Sequence, residues 1–383
     1  MKSNALLKSL QLIFLFLFLF AFNVQADEPR FYIPDAPPID ASSYALMDHN
    51  SKSMLAANNE NQRRSPASLT KIMTSYVIFK RLKEEFITLD DEVKISEKAW
   101  RTGGSRSFIE VGKIIRLEDL LKGMIIQSGN DASVALAEHV AGSEGTFVLF
   151  MNDYAQQLGM TNSRFENSSG LPHEEQYTTA KDMAILSSAM IEEFPEFYKW
   201  YSEKEFTYNN ITQTNRNKLL FTDSTVDGLK TGWTQMAGYC LVTSANRVGM
   251  RLITVVMGSA SPAVRTIETE KLLDYGFRFF ETQSVNDISH QVPVYKSKKA
   301  NIKVGVAESS YLTLPRNQFK YTTQTINLSG DLIAPITKGD EVGTLAISFN
   351  NKNIATLPLI ALDNAIEGGF LTKMVDTVKL LFR

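Results

Sequence analysis

A helix start between residues 64 and 73 constrains this chain more than any other stretch, because it fixes a local fold and a pair of reactive side chains together. The sequence there is Arg-Ser-Pro-Ala-Ser-Leu-Thr-Lys-Ile-Met. Ser65 is predicted to cap the free backbone N–H groups, and Pro66 suits the first helical position, where no N–H is required. Ser68 and Lys71, three residues apart, then share one face near the positive end of the helix.

This pairing of a hydroxyl with an amine is typical of a serine nucleophile and its base. Lys71 can accept a proton only while it is neutral, so burial and a second nearby cation must lower its pKa well below the ordinary lysine value. Taken alone, a serine and a lysine at this spacing are more often ordinary surface residues. The tetrad occurs once in the sequence, and its meaning depends on what accompanies it.

The first 26 residues have the pattern of a cleaved signal peptide. Lys2 and Lys8 precede an unbroken apolar run over residues 12–22, and small residues follow up to Ala26. This run is too short for a membrane span of about 20 residues. We therefore predict that residues 1–26 are removed and that the mature chain is exported.

Composition sets further bounds on fold and partners. With 383 residues, 44% of them hydrophobic, the chain has enough material for two domains. A net charge of −2 argues against a nucleic-acid partner, which requires a basic face. Cys240 is the single cysteine, so no disulfide forms within the chain. It lies in an apolar run and is predicted to be a core residue rather than a reactive thiol. Four scattered histidines and the lack of a His-Glu-x-x-His motif predict no metal and no cofactor.

The segment after Gly368 and Gly369 is predicted to form an amphipathic helix. Cationic and polar residues occupy one face, and the other carries the apolar residues Phe370, Leu371, Met374, Val375, Val378, Leu381 and Phe382. At 1.5 Å per residue this helix is about 21 Å long, too short to cross a bilayer. The same apolar stripe fits a helix lying in a membrane interface or a terminal helix docked on the protein's own core.

Two further short motifs stand downstream of the tetrad. Ser128-Gly129-Asn130 occupies a turn between two predicted helices, although serine and asparagine are also ordinary helix caps. Lys230-Thr231-Gly232 leads into two strand-like runs at 238–245 and 251–258, and the second is predicted to be a central strand. A lysine entering such a sheet is costly unless it borders a cleft, so Lys230 is a candidate functional cation.

Together, in this order and separated by 60 and 102 residues, the three motifs resemble a known enzyme family. The chain is similar to the low-molecular-mass penicillin-binding proteins that act as D-alanyl-D-alanine carboxypeptidases, the serine peptidase family S11. Further similar stretches lie at 99–100, 169–173, 226–232 and 276–280. The resemblance implies an α/β (α+β) transpeptidase fold of the penicillin-binding-protein and β-lactamase type, a small all-β sandwich domain and a C-terminal amphipathic helix that anchors the chain to a membrane.

The resemblance also implies a division of the chain. The signal peptide covers residues 1–26, the serine peptidase domain 27–282, the β-rich domain 283–360 and the anchoring helix 361–383. Alternating apolar residues and glycine turns between 284 and 358 fit a β-sandwich as well. The implied location is the periplasmic face of the inner membrane, and the implied partners are peptidoglycan stem peptides, β-lactam antibiotics and the membrane surface.

Site residues carry over one by one. Ser68 is implied to attack the carbonyl between two terminal D-alanines and to form an acyl-enzyme, with Lys71 as general base and Ser128 relaying a proton to the departing amine. Backbone N–H groups of Ser68 and Trp233 are implied to form the oxyanion hole. The implied substrate-binding residues are Asn130, Lys230, Thr231, Gly232, Trp233, Arg216 and Arg265.

Two alternatives stay open at this point. The same three motifs serve β-lactamases, and Glu166 lies in the loop where such an enzyme would hold its hydrolytic glutamate. We interpret Glu166 as a coincidence and His173 as a residue that shapes this loop. The other alternative is a non-catalytic, membrane-associated scaffold in which the motifs have only a structural role.

Overall fold

The computed structural model describes residues 33–306, 310–349 and 351–382. The predicted signal peptide at 1–26 lies outside the described residues. The described chain forms two units with separate hydrophobic cores, one built from residues up to 280 and the other from residue 285 onwards.

The elements of the described chain are named here in chain order. The strands are β1 (Ser43–Asp48), β2 (Met54–Asn58), β3 (Glu92–Lys94), β4 (Ile114–Arg116), β5 (Glu205–Tyr208), β6 (Ile211–Thr214), β7 (Val226–Thr234), β8 (Gly238–Arg247), β9 (Met250–Ser259), β10 (Phe280–Ser284), β11 (Ser289–Pro293), β12 (Asn301–Val306), β13 (Tyr311–Pro315), β14 (Thr322–Leu328), β15 (Glu341–Phe349) and β16 (Lys352–Ala361). The α-helices are α1 (Thr70–Lys83), α2 (Glu97–Arg101), α3 (Leu117–Gln127), α4 (Asn130–Ala141), α5 (Glu144–Gln157), α6 (Ala180–Glu193), α7 (Pro195–Tyr198), α8 (Leu219–Thr222), α9 (Pro262–Phe279) and α10 (Phe370–Leu381). Short 3-10 turns occur at Ala67–Leu69, Lys199–Ser202 and Phe319–Tyr321.

The N-terminal unit is built on an antiparallel sheet in the order β2-β1-β9-β8-β7. β9 lies at its centre, as predicted from the apolar run 251–258. Successive β9 side chains point to opposite faces. Ile253 and Val255 join the core that includes α6, whereas Leu252 and Val256 join the core that includes α9. Both faces are therefore buried, which explains why the strand is apolar without alternation.

β7 forms one edge of this sheet and packs against the 3-10 turn at Ala67–Leu69. A Cβ atom on Gly232 would lie 3.2 Å from the Pro66 carbonyl oxygen and 3.3 Å from the Leu69 side chain, so a larger residue would crowd this contact. The edge strand thereby carries Lys230 and Thr231 to the start of α1.

The start of α1 differs from the prediction at one position. Pro66 already has helical backbone angles and heads the 3-10 turn, and no side chain caps either this turn or α1. The predicted cap at Ser65 is therefore wrong. Ala67 adopts a left-handed φ of +48°, which turns the chain sharply just before Ser68.

The C-terminal unit is β-rich, as predicted. Its larger sheet is antiparallel in the order β11-β12-β16-β15-β14, and β10 pairs with β13. Alternate residues such as Ile302, Val304 and Leu345 fill its core. A hydrogen bond of 2.7 Å from Thr282 Oγ1 to Asp48 Oδ2 ties β10 to the N-terminal sheet. The domain boundaries placed at 282 and 360 stay predictions.

The predicted C-terminal helix forms as α10. Its apolar side chains are not packed on the protein: Phe370 is 81% exposed and Leu381 78% exposed. The buried residue of α10 is Asp376, whose Oδ2 accepts a hydrogen bond from the Lys296 backbone N–H at 2.7 Å. Within the described residues, no helix combines the length and the apolar character needed to span a bilayer.

Candidate active site

Ser68 and Lys71 meet at the start of α1, as their spacing predicts. Lys71 Nζ donates to Ser68 Oγ at 3.1 Å. Lys71 is 1% exposed, whereas Ser68 lines an open cleft. The arrangement is an accessible hydroxyl group backed by a buried amine.

Two acceptors from distant parts of the chain hold the Lys71 amine. Nζ donates to Asn130 Oδ1 at 2.7 Å and to the Ser169 carbonyl oxygen at 2.5 Å. Asn130 is fixed in turn, because its Nδ2 donates to the Gly103 carbonyl oxygen at 2.7 Å. With these partners around it, the amine is aimed at the Ser68 hydroxyl.

Burial changes the protonation of both lysines in the site. It lowers the pKa of Lys71 to about 7, assisted by the positive charge of Arg216 and opposed by the buried carboxylate of Asp131. The pKa of Lys230 lies well below its usual range because of burial, with Lys71, Arg216 and Arg265 adding repulsion. Lys71 and Lys230 repel each other, and Arg216 adds a further positive charge that lowers the Lys71 pKa.

Ser128 occupies the turn between α3 and α4 in a left-handed conformation, with φ of +67°. It is only 2% exposed but lines the cleft. Its Oγ has no hydrogen-bond partner among the described residues. A buried hydroxyl without a partner is costly, and this one is free to bond a substrate or to pass on a proton.

The wall opposite α4 is formed by β7. Lys230 is buried and its Nζ donates to the Thr231 carbonyl oxygen at 3.1 Å. Thr231, Gly232 and Trp233 line the cleft. Trp233 is 55% exposed, and its ring lies 5.7 Å from that of Tyr239.

Arg216 and Arg265 both reach the cleft from outside the three motifs. Arg216 Nη1 donates to Ser105 Oγ at 2.7 Å. Arg265, on α9, donates to the carbonyl oxygens of Gly232 at 3.2 Å and Cys240 at 3.3 Å. Each arginine keeps further N–H groups for a ligand anion, since a guanidinium carries five of them.

The cleft has a volume of about 620 Å³. It gathers most of the predicted site residues on its walls: Ser68, Ser128, Asn130, Arg216, Thr231, Gly232, Trp233 and Arg265. Lys71 and Lys230 lie behind this surface, both buried. The arrangement fits transfer of an acyl group to Ser68 from a ligand that carries a negatively charged group.

Comparison with known proteins gives the family. Residues 31–261 match the family model described as D-alanyl-D-alanine carboxypeptidase. This chain belongs to that family. Residues 277–367 match the model described as penicillin-binding protein 5, C-terminal domain.

Individual relatives of this carboxypeptidase cover nearly its full length. It is 44% identical over 361 residues to D-alanyl-D-alanine carboxypeptidase DacC of Escherichia coli (strain K12), covering 91% of this chain and 90% of the relative. It is 42% identical over 377 residues to DacA of Haemophilus influenzae (strain ATCC 51907 / DSM 11121 / KW20 / Rd), covering 94% of this chain and 95% of the relative. The crystal structure of penicillin binding protein 5 from Haemophilus influenzae matches with a TM-score of 0.83 and 41% identity, over 88% of this chain and 100% of that one. The predicted family and the predicted fold class, a catalytic α/β domain followed by a β domain, are confirmed.

Three residues that shape the site of this carboxypeptidase were missed by sequence reasoning. Gly170 has a φ of +83°, and a Cβ atom there would lie 1.8 Å from the Ala67 carbonyl oxygen. Asp131 is fully buried and accepts from the Ser107 backbone N–H at 2.8 Å. Ser105 accepts from Arg216. Only Gly170 gave a signal, because it lies in the family-like stretch 169–173.

Glu166 and His173 of the carboxypeptidase do not line the cleft. Glu166 forms an ion pair of 2.5 Å with Arg164. His173 Nδ1 accepts from the backbone N–H of Glu175 at 3.3 Å, within the same loop. Among the described residues there is no cluster of three or more His, Cys, Asp or Glu side chains that would hold a metal ion.

Proposed function

We propose that this chain removes the C-terminal D-alanine from peptidoglycan pentapeptide stems through an acyl-enzyme on Ser68. The observation that carries the proposal is the 3.1 Å contact between Ser68 Oγ and Lys71 Nζ, made by an amine with a pKa of about 7. Such an amine is partly neutral near physiological pH and can take the hydroxyl proton. Family membership supplies the reaction class.

In the acylation step, Ser68 Oγ bonds to the carbonyl carbon between the two terminal D-alanines while its proton passes to Lys71 Nζ. Asn130 and the Ser169 carbonyl hold the amine in line through bonds of 2.7 and 2.5 Å. The backbone N–H groups of Ser68 and Trp233 stabilise the negative charge that develops on the substrate carbonyl oxygen. The C–N bond then breaks, and Ser128 relays the proton held by Lys71 to the departing D-alanine nitrogen, which leaves both residues in their starting protonation states.

The substrate carboxylate binds where positive charge converges. Thr231 and the two arginines line that end of the cleft, and Lys230 lies directly behind it. An anion placed there raises the pKa of Lys230 again, because an opposite charge favours the protonated amine. Water then attacks the acyl-enzyme, which releases the shortened peptide and restores Ser68.

β-Lactam antibiotics acylate the same serine in this proposal. Attack by Ser68 Oγ opens the strained lactam ring, whose nitrogen stays attached to the acyl group and blocks the approach of water. Similarity to a structure titled penicillin binding protein 5 supports this reaction. A β-lactamase would instead need an efficient base for water, and Glu166 is engaged by Arg164 outside the cleft.

D-Alanine release from a soluble peptide ending in D-Ala-D-Ala tests the reaction. We expect release by the chain 27–383, none measurable by Ser68→Ala, and parental release by Ser65→Ala, which removes a neighbouring hydroxyl that caps nothing. Release by Ser68→Ala at the parental rate would refute the nucleophile. Rapid turnover of penicillin without a lasting adduct would favour the β-lactamase alternative. A parent chain that releases no D-alanine and turns over no penicillin would favour the non-catalytic scaffold.

We also propose that the chain is exported and held peripherally at the periplasmic face of the inner membrane through α10. Support comes from the leader-like pattern at 1–26 and from the exposed apolar residues of α10. Deleting 370–383 from the chain 27–383 should release it from membranes while activity on a soluble peptide is unchanged. Membrane partitioning that survives the deletion would contradict the anchor.

A further inference from the structure

We infer that α10 shares its membrane-binding surface with the lysine-bearing loop between β11 and β12, and that this combined surface recognises anionic lipid head groups. The surface consists of residues 296–299 and 366–382 and is called the lysine surface below. The inference rests on the proposed membrane association and adds a lipid class and a second binding segment to it.

Backbone contacts join the loop to the approach and start of α10. The Lys298 N–H donates to the Ile366 carbonyl oxygen at 2.9 Å, and the Gly368 N–H donates to the Lys296 carbonyl oxygen at 2.8 Å. Ser297 forms a β-bridge with Glu367. The two segments are therefore one structural unit, so a membrane that contacts one segment also contacts the other.

Asp376 sets the rotation of α10 on this unit. Its Oδ2 accepts from the Lys296 backbone N–H at 2.7 Å, and Asp376 is the buried residue of the helix. The apolar stripe consequently points away from the protein, with exposures from 49% for Val375 to 88% for Phe382. Ile366, 63% exposed, extends the stripe towards the loop.

Positive charge surrounds this exposed apolar stripe. The lysine surface carries five lysines, Lys296, Lys298, Lys299, Lys373 and Lys379, against two carboxylates, Glu367 and Asp376. Both carboxylates are already paired within the surface, Glu367 with Lys373 and Asp376 with Lys379. Lys298 and Lys299 are exposed, and neither has an ion-pair partner within the described part of the chain.

This combination fits a lipid surface better than a protein partner. Interfaces between proteins are depleted of lysine in their contact regions, whereas anionic head groups attract lysines that border an apolar helix face. The apolar side chains would enter the acyl boundary, and the loop lysines would lie at the level of the head groups.

Binding of the chain 27–383 to vesicles tests the inference, since this chain lacks the apolar leader and keeps every described residue. Vesicles of phosphatidylcholine are compared with vesicles that also contain phosphatidylglycerol. We expect the double variant Lys298→Gln/Lys299→Gln to bind the anionic vesicles about 25-fold more weakly than the parent, because each of the two lysines near such a surface contributes about fivefold. Binding to phosphatidylcholine alone should change less than about twofold.

A charge-matched control separates position from net charge. Lys320 and Lys352 are exposed at the opposite end of the same sheet, beside the Thr322↔Phe349 and Phe349↔Lys352 pairs. The variant Lys320→Gln/Lys352→Gln should bind anionic vesicles like the parent, because these lysines lie more than the Debye length of about 8 Å from the membrane.

Each outcome supports or overturns a distinct claim. Parental binding by Lys298→Gln/Lys299→Gln overturns the inference and leaves the α10 anchor intact, and so does equal weakening by both double variants. A parent that binds neither vesicle refutes the membrane association itself. Parental D-alanine release by both double variants is expected and shows that the catalytic domain is folded.

Discussion

The cleft and the lysine surface depart from the usual arrangement of a soluble protein in opposite ways. In the cleft, two lysines that would ordinarily be solvated are buried behind Ser68 and Thr231. On the lysine surface, apolar side chains that would ordinarily be buried face outwards. Burial in the cleft lowers the pKa of an amine. Exposure on the lysine surface leaves apolar area that a lipid bilayer can cover. We therefore expect the two regions to respond independently to mutation, which the following substitutions test.

Lys71→Gln should produce the largest effect. The amide keeps hydrogen-bonding capacity but cannot take the Ser68 proton, and loss of a general base typically reduces the rate by about 10²- to 10⁴-fold. Acylation by a chromogenic β-lactam measures this step. Lys83→Gln, at the exposed end of α1, is the matched control and should acylate like the parent. Acylation of Lys71→Gln within a few-fold of the parent would assign the base elsewhere.

Gly170→Ala should destabilise the catalytic domain by about 3 kcal/mol or more, because a left-handed alanine is strained and its Cβ would overlap the Ala67 carbonyl oxygen at 1.8 Å. Gly159→Ala is the control: its φ of +76° carries the same strain, but nothing lies within 4 Å, and about 1 kcal/mol is expected. Thermal unfolding compares the two variants. Equal unfolding temperatures for the two variants would mean that the chain at Ala67 moves aside at little cost in free energy.

The pH dependence of kcat/KM should show a rising limb with an apparent pKa near 7, the value to which burial lowers Lys71. Below this pKa the free enzyme carries a protonated Lys71, and kcat/KM falls about tenfold for each unit of pH. Above it the amine is neutral and the limb levels off. Vesicle binding should not follow this limb, because Lys71 is buried behind the cleft and is not part of the lysine surface. A limb near pH 10 would mean that Lys71 is solvated.

Asp376→Asn should have the smallest effect. The asparagine side chain replaces a charge-assisted hydrogen bond to the Lys296 N–H with a weaker neutral one. Backbone amides of α10 should therefore exchange hydrogen a few-fold faster than in the parent. Asp340→Asn, which alters a turn bond to the Thr337 N–H, is the control and should leave α10 unchanged. D-Alanine release should be unaffected in both. Faster exchange that also slowed catalysis would show that the two regions are coupled.

Sequence reasoning predicted those features that are encoded locally. The spacing of Ser68 and Lys71 placed them on one face, and the run 251–258 predicted the central strand. Sequence reasoning failed where segments that are far apart in the sequence come into contact. The Ser169 carbonyl reaches Lys71 across 98 residues of sequence, and no local pattern marks a backbone acceptor.

The errors have the same origin. Ser65 and Pro66 form a good local cap signal, but contact with β7 and the loop at Gly170 imposes a left-handed Ala67 instead. Arg216, whose charge helps to lower the Lys71 pKa, lies in none of the three motifs, and only the resemblance identified it. The periodicity of α10 predicted the helix, whereas its rotation depends on Asp376 meeting Lys296 from another element.

The order of strands in the N-terminal sheet also has a consequence for biosynthesis. β1 pairs with β9, with Ser43 opposite Met257, so β1 waits for a strand that follows more than 200 residues later. Closing so large a loop is entropically costly and slow. A growing chain that stops before residue 250 lacks β9, so it exposes the inner edge of β1 and cannot join β7 and β8 to β1 in one sheet. The N-terminal sheet can therefore close only once β9, at the start of the last third of the chain, has been made.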